Sequence, residues 1–541
     1  PPRSTLFPYT TLFRSKRRHF VKSVATTGVM LPSIFSGFFL KAFAASPLVQ
    51  ALQQSDSNNN NVLVLIQLNG GNDGLNTVIP IDQYANLFNA RPQVILPETS
   101  LLPLAGYDTV KLHPAMGGMR NLFNEGKVKI VQSVGYPNQN FSHFRSTDIW
   151  LSGSDANQYL PTGWMGRYLH YEYPNYPAQY PNETMPDPLA VEIGGSQSLG
   201  FMGPNTGMAY SIADPNFFYE FVSGIQTPAA PTPAGEQLDY VRLISRQSQV
   251  YGQRIKDASD AVTAQASYPD DNNLAQQLRI VARLIAGGLQ TRVYMVHIGG
   301  FDTHDSQVED ADHTIGEHAT LLSRLSEAVS AFQNDLQTLN IADRVLTMTF
   351  SEFGRRIKAN SSLGTDHGAA APMFLIGNGV FAGILGNNPT IPTFAGVEDN
   401  LPMQYDFRSV YATVLRDWFC VPSADLEGVM LQAFPVLPLI AASDCVTVAT
   451  HEANQQSGLN ILHIAPNPFN LNTRLQFTSS GSNLLIQVFN SQGQLVQTLA
   501  NGWYEQGAHS LHWDTHALPK GVYYCRLQDG FRQQVKAVVK M

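Results

Sequence analysis

The sequence predicts an α/β protein, a doubly wound and mostly parallel sheet, followed by a small C-terminal all-β sandwich. Three observations carry this expectation. Apolar, β-branched runs at Val62–Leu68, Lys127–Val134, Val293–Ile298, Val345–Phe350 and Met373–Ile376 alternate with helical patterns at Leu238–Ile255, Asn273–Leu289 and Ala319–Leu339, the rhythm of strands joined by right-handed crossovers. Several runs meet glycine with a carboxylate or histidine. Val62–Leu68 leads into Asn69-Gly70-Gly71-Asn72-Asp73, Thr291–Ile298 into Gly299-Gly300-Phe301-Asp302-Thr303-His304, and Arg344–Phe350 into Ser351-Glu352, while Met373–Ile376 is preceded by Asp366-His367-Gly368. From Ile464 onward the texture changes to short alternating strands separated by turn residues, the spacing of a small sandwich.

Residues 1–15 carry the near-repeat Thr5-Leu6-Phe7-Pro8 and Thr11-Leu12-Phe13-Arg14, match no targeting logic and read as foreign or mis-assembled sequence. Residues 16–45 begin with Lys16-Arg17-Arg18, continue through an uncharged stretch and reach Ala42-Phe43-Ala44. They resemble a twin-arginine export signal. A membrane anchor is the alternative, but a stretch diluted by Ser, Thr, Gly and Pro makes a poor span. Residues 46–61 are a polar linker, 62–445 the main domain, 446–460 a second linker and 461–541 the sandwich. Between Tyr171 and Pro233 a Pro, Tyr, Asn and Gly texture marks either a loop-rich cap or a packed irregular insert.

The balance of 43% hydrophobic against 14% charged residues in 541 gives a large core with an appendage. A net charge of -8 with no long basic block excludes a nucleic-acid footprint. Three cysteines in an exported chain do not make a disulfide framework. Cys420 and Cys445 are able to pair, Cys525 stands alone, and none has metal-ligand neighbours.

In an open parallel sheet, residues just past the carboxyl ends of neighbouring strands converge on one crevice. Asp73, Asp302, His304, Glu352, Asp366 and His367 are therefore expected to hold a divalent cation. Carboxylates without a cation or an arginine would cost several kcal/mol each in a crevice, and Arg355, Arg356 and Arg145 are the candidate partners or anion-binding forks. Ser142 is the candidate nucleophile, His143 its candidate base, and Arg355 a catalytic candidate. Against this stands a plainer reading, in which an Asp after a strand is a turn former or helix cap. His113 and His143 are packed or hydrogen-bonded histidines, His297 belongs to the core or supports a ligand, and His313 and His318 sit on a solvated helical face.

The motifs Leu68-Asn69-Gly70-Gly71-Asn72-Asp73-Gly74, Ser142-His143-Phe144-Arg145, Gly300-Phe301-Asp302-Thr303-His304, Ser351-Glu352-Phe353-Gly354-Arg355-Arg356 and Thr365-Asp366-His367-Gly368 resemble the domain-of-unknown-function 1501 family. That family is similar in pattern to the alkaline phosphatase and sulfatase superfamily, and the resemblance implies a sheet of alkaline-phosphatase type. It also implies a metal site at Asp73, Asp302 and His367. The chain departs from the phosphatase pattern at Ser306, where a histidine is expected, and at Glu352-Phe353 in place of an Asp-His pair. The set is carboxylate-heavy, so one ion, Zn, Ca, Mg or Mn, fits better than two zincs. Pro466-Asn467-Pro468-Phe469, Gly507-Ala508-His509 and Gly521-Val522-Tyr523-Tyr524 look like the sorting domain of type IX secretion cargo, a hook-type immunoglobulin-like module being the alternative.

The expected protein is exported through the twin-arginine and type IX machineries to the cell surface or medium, with no stable transmembrane anchor. Its expected activity is metal-dependent hydrolysis of a phosphate or sulfate ester. The alternatives are a catalytically silent surface-binding or scaffold protein on the same fold and, on weaker grounds, an isomerase or mutase.

Overall fold

A computed structural model describes residues 59–194, 196–212, 233–441, 445, 460–479, 481–490, 495–529 and 532–541. The expected foreign segment, the export signal, nearly all of the first linker and the second linker lie outside the described residues. The chain divides into two compact units, one spanning Asn59–Val446 and the other containing Thr447–Met541.

The main unit is built on a nine-stranded sheet. Its strands are β1 (Val62–Leu68), β2 (Val128–Gly135), β3 (Ala190–Ile193), β4 (Ala209–Ile212), β5 (Val293–Ile298), β6 (Val345–Phe350), β7 (Ala371–Ile376), β8 (Gly383–Leu385) and β9 (Tyr405–Asp406). The order is β8-β2-β7-β6-β1-β5-β3-β4, with β9 also on β2. All seven residues of β1 are buried, because its alternate side chains enter two different cores. Val64 and Ile66 join one, and Leu63 and Leu65 the other. A strand covered on both faces reads as a continuous apolar run, which is why β1, β5 and β6 were legible in the sequence.

Helices cover both faces. On the first lie α1 (Gly117–Asn124), α5 (Asn273–Ala286) and α6 (Glu317–Thr338). In α5 the buried Leu274, Leu278, Val281 and Ile285 recur at helical spacing, and Asn272 caps it by accepting from the Ala275 amide. On the second face α2 (His143–Ser152), α3 (Trp164–Glu172) and α7 (Phe407–Thr413) supply aromatic stacks. Trp150 lies 4.4 Å from Phe407 and Trp164 4.2 Å from Tyr411, ring centre to ring centre. The helix α4 runs from Pro233 to Ala261.

The sheet departs from a uniformly parallel one at β7. This strand runs antiparallel to β6, with Leu375 opposite Met348, and antiparallel to β2. A reversed strand begins where its parallel neighbours finish. Asp366-His367 precede β7 and so reach the same edge as Asp302 and Glu352, which follow β5 and β6. The Pro- and Tyr-rich stretch is a packed insert in its described part. Tyr173, Tyr176 and Tyr180 lean on the second core, and the stretch supplies β3 and β4.

The smaller unit holds two antiparallel sheets. One comprises Asn460–Ala465, Asn472–Ser479 and Gly507–Asp514, and the other Leu495–Tyr504, Ser482–Asn490, Gly521–Asp529 and Arg532–Lys540. Phe477 and Trp513 from the first share one core with Ile486, Val488 and Leu527 from the second. Cys525 is a free thiol buried there, while Cys420 and Cys445 form a disulfide in the main unit. Two histidine expectations are corrected. His318 lies in α6 but is only 1% exposed, its ring bonded to Asn72 Oδ1 at 3.0 Å. His313 lies in the loop before α6, its Nδ1 2.8 Å from Ile95 O.

Candidate metal centre

The loop after β1 turns back through two glycines that the geometry requires. Gly70 (φ 120°) and Gly71 (φ 85°) adopt backbone that disfavours side chains. A Cβ on Gly70 would stand 2.3 Å from Asp302 N, and one on Gly71 2.4 Å from the Phe353 ring. Arg355 ties these loops together from beneath and is only 1% exposed. Its Nε donates to Gly71 O at 2.7 Å, its Nη1 to Thr365 O at 2.8 Å, and its Nη2 to Phe301 O at 2.8 Å and Asp302 Oδ1 at 2.7 Å. Nη2 also bonds Gly70 O. The guanidinium expected as a catalytic group is thus spent on four backbone carbonyls and one carboxylate.

Three imidazoles surround that carboxylate. Nε2 of His367 lies 3.0 Å and Nε2 of His304 3.1 Å from Asp302 Oδ1, and Nε2 of His143 lies 3.2 Å from Asp302 Oδ2. The Nε2 atoms of His304 and His367 are 2.9 Å apart. Each ring's other nitrogen faces an acceptor. Glu352 Oε1 stands 2.9 Å from His143 Nδ1, Asp366 Oδ1 3.0 Å from His304 Nδ1, and Phe141 O 2.8 Å from His367 Nδ1. The Phe353 ring lies 4.5 Å from that of His367 and 4.9 Å from that of His143, fixing their positions.

These contacts admit one set of neutral tautomers suited to a cation. A neutral imidazole that donates from Nδ1 presents a lone pair at Nε2. With all three Nδ1 atoms donating to these acceptors, the three Nε2 lone pairs would converge on the lone pairs of Asp302. That arrangement needs positive charge at its centre. For metal bonds of about 2.0–2.1 Å in a tetrahedron, donor atoms lie about 3.3 Å apart, close to the separations here. Donor atoms of His143, Asp302 and His367 all lie within 4.8 Å of one another. The donor set therefore fits a divalent cation of the kind imidazoles prefer. The carboxylates behind His143 and His304 and the carbonyl behind His367 are acceptors of the kind that orient histidines when they bind a metal.

The charges agree with this layout. Burial raises the Asp302 carboxyl, but the hydrogen bond and charge of Arg355, with the neighbouring His367 and His304, outweigh it and hold the group down at about 2. Burial lowers His367, against the pull of Asp302. Burial also works to raise Asp366, and the His304 and Asn360 hydrogen bonds bring it below the usual carboxylate range. Glu352 is 2% exposed. Its Oε1 accepts from Gly70 N at 2.8 Å, and its Oε2 is buried without a hydrogen-bond partner among the described residues.

Of the six expected ligands, Asp302, His304, Glu352, Asp366 and His367 gather here, and Asp73 does not join their hydrogen bonds. Asp73 is buried against Arg91, whose Nη1 lies 3.0 and 2.8 Å from its two oxygens. Gln307 Nε2 donates to its Oδ2 at 2.6 Å, and the Leu75 amide to its Oδ1 at 3.2 Å. The plainer reading of Asp73, a helix cap, describes what its side chain does here. Glu352 and Asp366 stand behind imidazoles. His143, expected as a base, places its Nε2 among the possible donor atoms. Ser142 is exposed, and its hydroxyl takes no part in the cluster's hydrogen bonds among the described residues. Arg145 holds the loop at Asp155 and Gln158, and Arg356 bonds His367 O, Val397 O and Glu398. His297 supports the sheet edge, paired with Glu192 at 3.0 Å. Arg91 and Gln307 were missed, because no local pattern links either to Asp73.

Residues 236–416 match the family described as Protein of unknown function (DUF1501). Residues 463–541 match the Secretion system C-terminal sorting domain. Both resemblances drawn from the motifs are borne out over these spans. No curated protein matches the chain. Among solved structures it is similar to a protein in the alkaline phosphatase superfamily from Vibrio parahaemolyticus, at 11% identity and a TM-score of 0.29 over 90% of this chain and 83% of that one. It is also similar to the PsFucS1 sulfatase from Pseudoalteromonas sp., at 10% identity and 0.29 over 86% of each chain. A third is BT1596, a 2-O GAG sulfatase, at 9% identity and 0.25 over 88% of this chain and 84% of that one. At scores this low the likeness carries no chemistry, and function must be read from the cluster itself. No described helix is long and apolar enough to cross a membrane.

Proposed function

We propose that this is an exported metal-dependent hydrolase acting on phosphate or sulfate esters. The single observation that supports the reading is the convergence of three imidazole Nε2 atoms on Asp302, each ring oriented from behind by an acceptor. His143, Asp302 and His367 would hold one divalent ion, with His304 beside them. Zinc suits these nitrogen-rich donors better than calcium or magnesium. When bound, such an ion activates a water molecule or hydroxyl and stabilises developing negative charge.

The chain's own residues set up the rest. Glu352 and Asp366 hold the His143 and His304 rings with Nε2 facing inward, and Phe141 O does so for His367. Arg355 keeps Asp302 ionised and fixes the loops that carry it. Ser142, exposed at the start of α2 and next to His143, is the hydroxyl we assign as nucleophile. The match to a secretion sorting domain supports a surface or extracellular location reached through type IX machinery, and Lys16-Arg17-Arg18 a twin-arginine route to the periplasm.

A second reading, a catalytically silent surface-binding protein, is favoured by the absence of Ser142 from the cluster's hydrogen bonds. The two readings separate in one experiment. Purified protein is analysed for bound metal and assayed on aryl phosphates and aryl sulfates, beside His367→Ala and Ser142→Ala. The hydrolase reading expects a bound ion and turnover that His367→Ala abolishes. Metal-free protein without turnover would refute it, and bound metal without turnover on any ester would favour the silent reading.

A further inference from the structure

The His304–Asp366 pair raises a physical question. Its side chains are 42% and 53% exposed, and a solvent-exposed pair of this kind contributes little on its own. Something beneath must hold the two backbones at the right separation. The fully buried side chain of Gln307 lies there. Its Oε1 accepts from Thr365 Oγ1 at 2.7 Å and Thr303 Oγ1 at 3.2 Å, and its Nε2 donates to Asp73 Oδ2 at 2.6 Å. Thr303 and Thr365 immediately precede His304 and Asp366, and they are 1% and 0% exposed. The Thr365 amide also donates to Thr303 O at 3.1 Å, and the Gln307 amide to Leu363 O at 3.0 Å.

We infer that Gln307 is a positioning residue for the metal centre, with Asp73 and Arg91 as its buried anchor. Only a primary amide meets all three demands, accepting from two hydroxyls through one oxygen while donating to a carboxylate. Glutamate would face Asp73 charge against charge, and methionine would leave two buried hydroxyls without an acceptor. The anchor is itself tied to the strand opposite Thr365. Arg91 Nε donates to Ile357 O at 2.9 Å and Nη2 to Arg356 O at 2.6 Å. Both strands of the hairpin Arg355–Ala359 and Thr365–His367, and the loop after β5, thus meet at one buried polar group. Asp73, expected as a ligand, acts instead through Gln307 on the residues that hold His304 beside the proposed ion.

The inference rests on the metal-site reading, and its test separates the two. Full-length Gln307→Met is compared with wild type and with Gln333→Met, a buried glutamine of α6, by crystallography and by titration of the metal-stripped proteins with Co(II) followed by visible absorption. The expected result is a His304 Nδ1 to Asp366 Oδ1 separation beyond hydrogen-bond range in Gln307→Met. Its Co(II) affinity should fall roughly ten- to hundredfold, with an altered spectrum, while Gln333→Met changes thermal stability alone. An intact pair with affinity within about twofold of wild type would overturn the inference. If wild type takes up no Co(II), the metal reading fails and the crystal structures still decide the role of Gln307. Should Gln307→Met fail to fold, Thr365→Val removes one of the two hydroxyl bonds and decides in its place, by the same two readouts.

Discussion

Asp302 and Asp73 show how two similar residues acquire different tasks. Each follows a buried strand and a glycine-containing turn, and in the sequence the two are indistinguishable as ligand candidates. What separates them is the partner. Arg91 neutralises Asp73 in a fully buried pair, whereas Asp302 is shared by Arg355 and three imidazoles and stays 44% exposed. Arg91 and Gln307 meet Asp73 through tertiary folding alone, so that division was not legible. The five residues that do gather were legible, because strand ends in such a sheet must converge. Breaking the buried pair should be expensive. Asp73→Ala leaves an unpaired buried guanidinium and should cost about 3–5 kcal/mol of stability in chemical denaturation. Glu352→Gln keeps the shape but weakens the acceptor behind His143, and should lower metal affinity roughly ten- to hundredfold in competition titrations with little change in Tm.

At the scale of elements, three strands were bounded by their apolar runs because both faces are covered. Others were not. Ala190–Ile193 and Ala209–Ile212 are too short to show a period and lie inside a Pro- and Tyr-rich stretch, so the sequence offered no strand there. Nor did it reveal that Ala371–Ile376 runs antiparallel. The hairpin Arg355–Ala359 and Thr365–His367 occupies the connection from β6, and the chain returns beside that strand rather than crossing over. That reversal brings His367 to Asp302. The loop after β1 is closely packed at this edge. Gly71→Ala forces a positive φ on a side chain and drives a methyl group into Phe353, and should destabilise the main unit by at least about 2 kcal/mol. Because Phe353 also packs on His143 and His367, the same variant should bind metal more weakly, as isothermal titration would show.

Across the whole molecule, buried histidines set the acid limit of stability. Burial lowers His318 to about 4 and His113 to about 3, against an unfolded value of about 6.5. A base whose folded pKa is depressed is stable while neutral. Its contribution is therefore complete above about pH 6.5 and is lost as pH falls towards 4, because the unfolded chain takes up protons first. Asp73 acts in the same direction at lower pH, since its folded pKa is also depressed. Urea denaturation from pH 8 to pH 4 should show stability falling below about 6.5, and His318→Gln should flatten that slope. An ion bound at the strand edge adds stability by mass action, about 2.7 kcal/mol at a free concentration one hundred times its Kd. The most direct test of the central claim is elemental analysis of the purified full-length protein beside His143→Ala and His367→Ala. One divalent ion per wild-type chain and close to none in either variant is the expected result. Wild-type protein without metal, or both variants retaining the full complement, would contradict it.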